Sequence, residues 1–334
     1  MTIKDLAAQT GYSVGTVSRV LNNQPHVSET AREIILRAAA ESSFQLNTNA
    51  KHLKQQQSKT ILVICKGTSN ELFDNLLVSI QARIAQTEYP IIVDYIDEID
   101  NEVRRAVQLC LEKKPRGILF LGGNRQHFLE DFHHINVPCV LVTNDARDLP
   151  FPNLSSVSSD DILAAEMAID HLVELGHRNI GVIGGSREYS DTTVLRYQGC
   201  INAFQRQGLS FPEDHYETAR FSYEDGYRAA RALLERRPEL TAIFAMSDVM
   251  AIGAMRALAD LGKRIPEDIC VVGFDGLAMG DFAIPRLTTV AQSAEELVNH
   301  SLRLLAHYAD PDATALHETV PVTLMKKEST RRPV

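Results

Sequence analysis

The sequence lacks an apolar run long enough to cross a membrane, although 44% of its 334 residues are hydrophobic. Its first residues also lack the basic segment followed by an apolar stretch that marks a secretory signal. Cysteine is scarce, and no CxxC pair occurs among Cys65, Cys110, Cys139, Cys200 and Cys270. Each cysteine stands among mostly apolar neighbours, which favours reduced core residues over disulfides or metal ligands. We therefore expect a cytoplasmic protein with no metal site and no cofactor.

The sequence has few groupings that suggest catalysis. We find no nucleophile with a paired base and no acid pair that the chain order would bring together. The glycine-rich GVIGGS at 181–186 lacks the spacing of a dinucleotide-binding fingerprint and predicts a turn instead. His133 and His134 have no carboxylate or cysteine at ligand spacing, so we expect both on the surface. An enzyme is therefore not expected.

The charge is unevenly distributed along the chain. Residues 1–58 contain six basic and four acidic residues, a net charge of +2, so that the overall charge of −9 leaves −11 for the remainder. A basic segment attached to an acidic body is the pattern of a DNA-binding head on a larger domain. Because the basic excess is small, we expect two heads to act together.

Residues 3–22 have the pattern of two short helices joined by a tight turn. Gly11 breaks the first helix, and Ser13 suits the N-cap of a second helix that starts near Val14. In helix-turn-helix units the early residues of the second helix meet base edges in the major groove. The segment therefore predicts a DNA-reading head, and the alternative is a small three-helix bundle without a DNA role.

Apolar periodicity predicts the inner faces of three helices in this head. The expected inward-facing residues are Leu6, Ala7, Val17, Val20 and Leu21, with Ile34, Ile35, Ala38 and Ala39 on a third helix that opens at 27–30. Val14, Gly15, Ser18 and Arg19 lie off this pattern and are expected to face outward. Residues 47–58 are polar apart from Leu53, which predicts a hinge.

From Thr60 onward, short apolar strands alternate with helices of about a dozen residues. Strands are predicted at 61–65, 91–95, 117–121, 137–142, 180–185, 216–219, 242–245 and 269–274. This alternation is typical of parallel sheets covered by helices on both faces. Two such series, divided near residue 160, predict an α/β core of two doubly wound parallel-sheet lobes, with a ligand at the strand carboxyl ends between them.

Nine segments, in order, resemble the LacI/GalR family of bacterial transcription regulators. They are TIKDLAAQTGYSVGTVSRVLNN, HVSETAREII, AKHLK, HLVELGHRNIGVIGG, TTVLRYQGCINAF, FAMSDVMAIGAMRAL, IPEDICVVGFDG, PRLTTVAQ and TLMKKEST. The resemblance implies a small all-α helix-turn-helix head at 1–46, a hinge at 47–58, and a core at 59–334 resembling periplasmic sugar-binding proteins. Lobe 1 would comprise about 59–160 and 292–320, and lobe 2 about 161–291 and 321–334.

The resemblance also implies roles in DNA binding. Val14, Gly15 and Arg19 match base-reading positions, and Arg19 could pair with O6 and N7 of a guanine. Gly15 has no side chain where many relatives have a longer one, so the operator sequence cannot be inferred. The residues that match phosphate-contacting positions are Ser13, Thr16, Asn22, His26 and Ser28. Leu53 matches the hinge leucine that relatives insert into the minor groove.

The effector positions implied by the resemblance lie in both lobes. Arg196 and Asp275 match the most frequent ligand contacts, and the further candidates are Ser247, Asp248, Phe221, Gln292, Phe73 and Thr143. Asp248 is equally explained as a helix cap, and Phe221 as a core residue. Thr143 stands where some sugar-binding relatives have aspartate. The resemblance favours a sugar effector. A purine or nucleoside is the alternative, because Arg196 and Asp275 occur in both kinds of relative and so do not discriminate between them.

The expected mechanism is a two-state switch in a regulator, most simply a repressor. A homodimer would place two heads on a near-palindromic operator, and the effector would alter the core. The chain shows no heptad tail after MKKESTRRPV, which favours a dimer over a tetramer. Whether the effector releases DNA or promotes its binding stays open. A binding protein or an enzyme built on the same core is disfavoured by the head and by the lack of a secretory signal.

Overall fold

The computed structural model describes residues 3–21, 27–41, 59–68, 70–310 and 312–333. Contacts between residues divide the chain into two units, 1–57 and 58–334. The expected hinge with Leu53 lies outside the described residues, as do Asn22 and His26. Their roles stay predictions.

The described part of the first unit, residues 3–21 and 27–41, forms the helices α1 (Ile3–Thr10), α2 (Val14–Leu21) and α3 (Glu29–Glu41). Gly11 follows α1 with a φ of +69°, a left-handed conformation that glycine adopts without a steric penalty. Seven buried residues of the unit's described part form one small core, with Leu21 partly buried beside it: Leu6, Ala7, Val17, Val20, Ile35, Ala38 and Ala39.

The prediction for Ile34 is wrong, because its side chain is 42% exposed. Among the described side chains of α3, those of Ala31, Ile35, Ala38 and Ala39 are buried, at positions i, i+4, i+7 and i+8. A residue next to Ile35 is rotated by about 100° around the helix, which takes Ile34 off that face.

The second unit alternates strands and helices. In chain order its elements are β1 (Ile61–Lys66), α4 (Glu71–Ile84), β2 (Ile91–Ile96), α5 (Glu102–Lys113), β3 (Gly117–Leu121), α6 (Arg125–Asp131), β4 (Cys139–Val142), β5 (Leu154–Ser159), α7 (Asp161–Glu174), β6 (Ile180–Gly184), α8 (Asp191–Arg206), β7 (Tyr216–Thr218), α9 (Tyr223–Arg236), β8 (Ala242–Ala245), α10 (Asp248–Asp260), β9 (Cys270–Asp275), α11 (Met279–Phe282), β10 (Thr288–Gln292), α12 (Ala294–His307), β11 (His317–Val320) and β12 (Val322–Met325). Short 3₁₀ turns cover Phe132–His134 and Glu213–His215.

These strands form two six-stranded sheets, one in each lobe. The lobe 1 sheet has the order β11-β5-β4-β3-β1-β2, and all its neighbouring strands are parallel. The lobe 2 sheet has the order β12-β10-β9-β8-β6-β7, and β12 runs antiparallel to β10. The sequence indicates parallel sheets with helices between strands, and this one antiparallel edge strand departs from that pattern.

The chain passes between the lobes three times. It leaves lobe 1 after β5, returns after β10 to form α12 and β11, and enters lobe 2 again at β12. α12 packs against β3, β4 and β5 of lobe 1. Because three connections link the lobes, any change in the relative position of the lobes requires backbone changes in these segments.

Among the described residues, none of the helices is long and apolar enough to span a membrane. His133 and His134 are exposed, as expected.

Candidate functional site

In the head, the start of α2 is fixed by hydrogen bonds of Ser13. The N–H of Thr16 donates to Ser13 Oγ at 3.1 Å, and the two hydroxyl oxygens are 2.9 Å apart. Ser28 has the same role for α3, where it accepts from the N–H of Ala31 at 3.3 Å. These hydroxyls cap helices, so any contact with a phosphate would add to a capping role rather than replace it.

Gly15 and Arg19, two of the three expected base-reading residues, are exposed on α2. Val14 is the first residue of α2, and its side chain is not among those described. The opposite face of α2 buries Val17 and Val20 in the small core. The helix therefore presents one face for packing and another, with the arginine, for contact with a partner.

In the second unit, a cavity of about 310 Å³ lies between the two lobes. Its walls include residues at the carboxyl ends of strands from both sheets: Lys66 of β1, Gly122 and Gly123 after β3, Thr143 and Asn144 after β4, Asp275 of β9 and Gln292 of β10. Ligands of open α/β sheets bind at such strand ends, and the volume falls in the usual range for small-molecule sites.

Arg196 lies on the lobe 2 side of the cavity and is held from three directions. Its Nε donates to Asp161 Oδ1 at 2.8 Å, and its Nη1 donates to the carbonyl of Met246 at 2.6 Å. The guanidinium stacks on the ring of Phe274 at 3.6 Å from the ring centre. Burial raises the pKa of Asp161, while the charge of Arg196 opposes that shift. The arginine is thus fixed before any ligand arrives.

Asp275 and Gln292 form a chain of hydrogen bonds that reaches from lobe 2 to lobe 1. Ser159 donates to Gln292 Oε1 at 2.8 Å, and Gln292 Nε2 donates to Asp275 Oδ1 at 2.9 Å. Asp275 has a φ of +113°, a conformation that non-glycine residues adopt rarely and mostly at functional sites. Burial raises its pKa to about 7, against the opposing charge of Arg196.

Phe73, Thr143 and Phe221 also line the cavity. Phe73 lies in the first turn of α4, and its ring fills the space beside Gly122, where an added Cβ would come within 2.9 Å of the ring. The Thr143 hydroxyl donates to Asn144 Oδ1 at 3.3 Å. Phe221 is partly buried and also packs against the lobe 2 core, so both of its expected roles are compatible with its position.

Two expected effector residues, Ser247 and Asp248, are not among the described residues that line the cavity. Ser247 caps α10 by accepting from the N–H of Met250. Asp248 is fully buried and accepts from the N–H of Leu277 at 2.6 Å and from the Thr289 hydroxyl at 2.7 Å. Its carboxylate therefore ties the turn after β9 to β10 behind the cavity wall.

Several residues of the cavity wall are not among those expected from the sequence. Lys66 ends β1, and its ammonium donates to the buried Glu102 at 2.6 Å. Asp97, Glu98 and Arg220 lie on loops and join the two lobes. Lys66 could have been found from the sequence, because it is a charged residue directly after the apolar run ILVIC. No sequence pattern indicates contacts between loops of different lobes.

Comparison with known proteins agrees with this architecture. The family described as "Bacterial regulatory proteins, lacI family" matches residues 2–47, and "Periplasmic binding protein-like domain" matches residues 169–330. The HTH-type transcriptional regulator MalR of Clostridium butyricum is 33% identical, with 98% of this chain and 99% of that protein covered. The ribose operon repressor of Halalkalibacterium halodurans is 31% identical, with 99% and 97% covered.

Solved structures with the same organisation are also similar over the whole chain. The complex of the transcriptional regulator CelR with cellobiose has a TM-score of 0.71 at 27% identity and covers 99% of this chain and 100% of that one. The lac repressor dimer bound to operator and the anti-inducer ONPF has a TM-score of 0.73 at 27% identity, with 99% of each chain covered. This chain therefore belongs to the LacI family of bacterial regulatory proteins, which are DNA-binding regulators of transcription.

Proposed function

We propose that this chain is a cytoplasmic, non-catalytic repressor whose operator affinity is switched by an uncharged, hydroxyl-rich effector of the sugar class. The effector would bind between the lobes, where Arg196, Asp275 and Gln292 offer charged and polar groups already oriented by their neighbours. Because the coupling is thermodynamic, operator DNA would change effector affinity by the same factor as the effector changes DNA affinity.

The observation that supports an uncharged effector is the pairing of the cations around the cavity. Among the described lining residues the cations are Lys66, Arg196, Arg220 and Arg228, and their carboxylate partners are Glu102, Asp161, Asp97 with Glu98, and Asp225. A phosphate or carboxylate on the effector would have to compete with a partner already in place. Hydroxyl groups, in contrast, can share these donors and acceptors.

DNA recognition is assigned to the exposed face of α2. We propose that Arg19 reads a guanine, with Val14 and Gly15 beside it, and that Ser13, Thr16, Asn22, His26 and Ser28 contact phosphates. Leu53 would insert at the centre of the operator. Two heads on a homodimer would bind the two half-sites of a near-palindromic operator.

A thermal-shift screen of the full-length protein tests the effector assignment. The panel contains neutral mono- and disaccharides, among them ribose and cellobiose, with their phosphates, uronic acids, nucleosides and purines. A neutral sugar should raise the melting temperature, and Arg196→Ala and Asp275→Asn should remove the shift. Arg264→Ala, on an exposed pair with Asp268, is the control. A response to phosphates alone would contradict the proposal, and a response to nucleosides alone would support the alternative effector class.

A further inference from the structure

A segment of lobe 2 at residues 220–223 reaches across the cavity mouth and bonds to lobe 1. Arg220 Nη2 donates to Asp97 Oδ1 at 2.6 Å, and its Nε lies 2.9 Å from Glu98 Oε1. Three residues further on, the Tyr223 hydroxyl donates to Glu71 Oε2 at 2.7 Å. All three carboxylates belong to lobe 1, so opening of the lobes would break these contacts together.

The same contacts position an aromatic ring of the cavity wall. Phe221 directly follows Arg220, and its backbone N–H lies near Glu98 and favours the charged form of that carboxyl, whereas burial raises the pKa of Glu98 against the opposing charge of Arg220. Phe221 lines the cavity between Arg220 and the Gly185 turn, where an added Cβ would lie 2.7 Å from its ring. Arg220 therefore fixes the backbone from which this ring projects.

The exposure of this cluster makes its strength dependent on salt. The side chains of Arg220, Asp97 and Glu98 are 50%, 42% and 30% exposed. Pairs of this kind are weak and are screened as the ionic strength rises. Another contact between the lobes is the hydrogen bond from the backbone N–H of Arg125 to Asp191, at 2.5 Å. Its donor carries no full charge, so salt should weaken this contact less than the pairs of Arg220.

We propose that Arg220, Asp97 and Glu98 form a charged clasp that positions Phe221 and holds the lobes together over the effector. This inference rests on the proposed function, since it assumes a ligand between the lobes. Its consequence is unusual for an uncharged ligand. The affinity should fall as salt is added, although the ligand has no charge to screen, because the salt weakens the closed state that binds it.

The test measures ribose and cellobiose binding by calorimetry to the full-length protein at low and high potassium chloride. Arg220→Ala should weaken binding about three- to tenfold at low salt and remove most of the salt dependence. Arg220→Lys should restore part of both, and Arg264→Ala, which removes an exposed pair within one loop, should change neither. Equal salt dependence of the affinity in Arg220→Ala and in the unaltered protein would overturn the clasp. An affinity of the unaltered protein that does not change with salt would overturn it as well.

Hydrogen exchange of the ligand-free protein separates this inference from the effector assignment. Arg220→Ala should speed amide exchange in peptides covering 220–223, including the Phe221 N–H, whereas Arg264→Ala should not. If neither sugar binds, the effector assignment fails for these sugars while this comparison still decides whether the clasp exists. Unchanged exchange in Arg220→Ala would overturn it.

Discussion

At the scale of single residues, the chemical types at the ligand site could be predicted, but their arrangement could not. Arg196, Asp275 and Gln292 lie where strand ends and family resemblance place them, at the cavity wall. Ser247 and Asp248 also follow a strand end, yet they do not line the cavity. Ser247 caps a helix, and Asp248 accepts a hydrogen bond from the backbone behind the cavity wall. The end of a strand determines the position of a residue's backbone, whereas the packing around it determines the orientation of its side chain.

Arg19→Ala tests the base-reading role of α2. The variant should lose about 1–3 kcal/mol of discrimination at one guanine of each half-site, because a bidentate arginine contact is lost. The measurement is fluorescence anisotropy with selected operator duplexes and single-base variants. Arg37→Ala removes an equally charged exposed side chain from α3 and serves as the control. If both variants weaken binding equally to all sequences, Arg19 contacts only the backbone.

Asp248→Asn tests the buried carboxyl behind the cavity. Burial raises the pKa of Asp248 from an ordinary value of 3.8 to about 8 in the folded protein. The folded state thus holds the proton more tightly, and the unfolding free energy falls as the pH rises between these values. Asparagine does not titrate, so the variant should gain stability relative to the unaltered protein from pH 5 to pH 8.

Urea unfolding of both proteins at these two pH values measures the difference. The Asp268 carboxyl has a lowered pKa, so Asp268→Asn should show no pH-dependent change in this window. A stability difference for Asp248→Asn that is the same at pH 5 and pH 8 would contradict the assignment.

At the scale of elements, the sequence predicts apolar strands well and polar ones poorly. β5 is fully buried along its six residues, yet four of them are serines. Three of its hydroxyls bond to distant side chains: Ser155 to Tyr308, Ser156 to His317 and Ser159 to Gln292. These three partners lie more than 130 positions away in the chain, and Ser156 also bonds to Asp145 and Ala146 outside the strand, so no pattern within the strand itself could have revealed it.

Glycine-to-alanine substitutions in two helices should have opposite effects. In α10, a Cβ on Gly253 would lie 2.1 Å from the carbonyl oxygen of Tyr223 in α9, so Gly253→Ala should cost about 1–3 kcal/mol. In α2, a Cβ on Gly15 would meet only Ser13 Oγ, at 3.7 Å. Gly15→Ala should therefore stabilise the head by about 0.5–1 kcal/mol.

Thermal unfolding followed by circular dichroism, with head and core signals separated by NMR, measures both changes. If the core of Gly253→Ala is as stable as that of the unaltered protein and ligand binding is unchanged, α9 and α10 can move apart without a loss of stability.

At the scale of the whole molecule, an exposed apolar segment in lobe 2 supports the proposed homodimer. Met279, Phe282 and Ile284 are 46%, 81% and 96% exposed within six residues. Exposed apolar residues that cluster in this way are typical of interaction surfaces. The lac repressor, a similar structure, was solved as a dimer on its operator.

The double substitution Phe282→Asp with Ile284→Asp should therefore convert the protein to a monomer and weaken operator binding strongly. Sedimentation velocity measures the change in mass. Leu111→Asp, at a residue that is 77% exposed on α5, is the control and should leave the dimer intact. A dimer that survives the double substitution would place the interface elsewhere.

The order of strands has a consequence for synthesis on the ribosome. β11 completes the lobe 1 sheet and β12 completes the lobe 2 sheet, and both lie between residues 317 and 325. Neither lobe can finish folding while the earlier residues are being translated, and until then β5 and β10 each present an open edge to other nascent chains. Completion of both lobes is therefore a single late event in translation, which makes truncated products prone to aggregation.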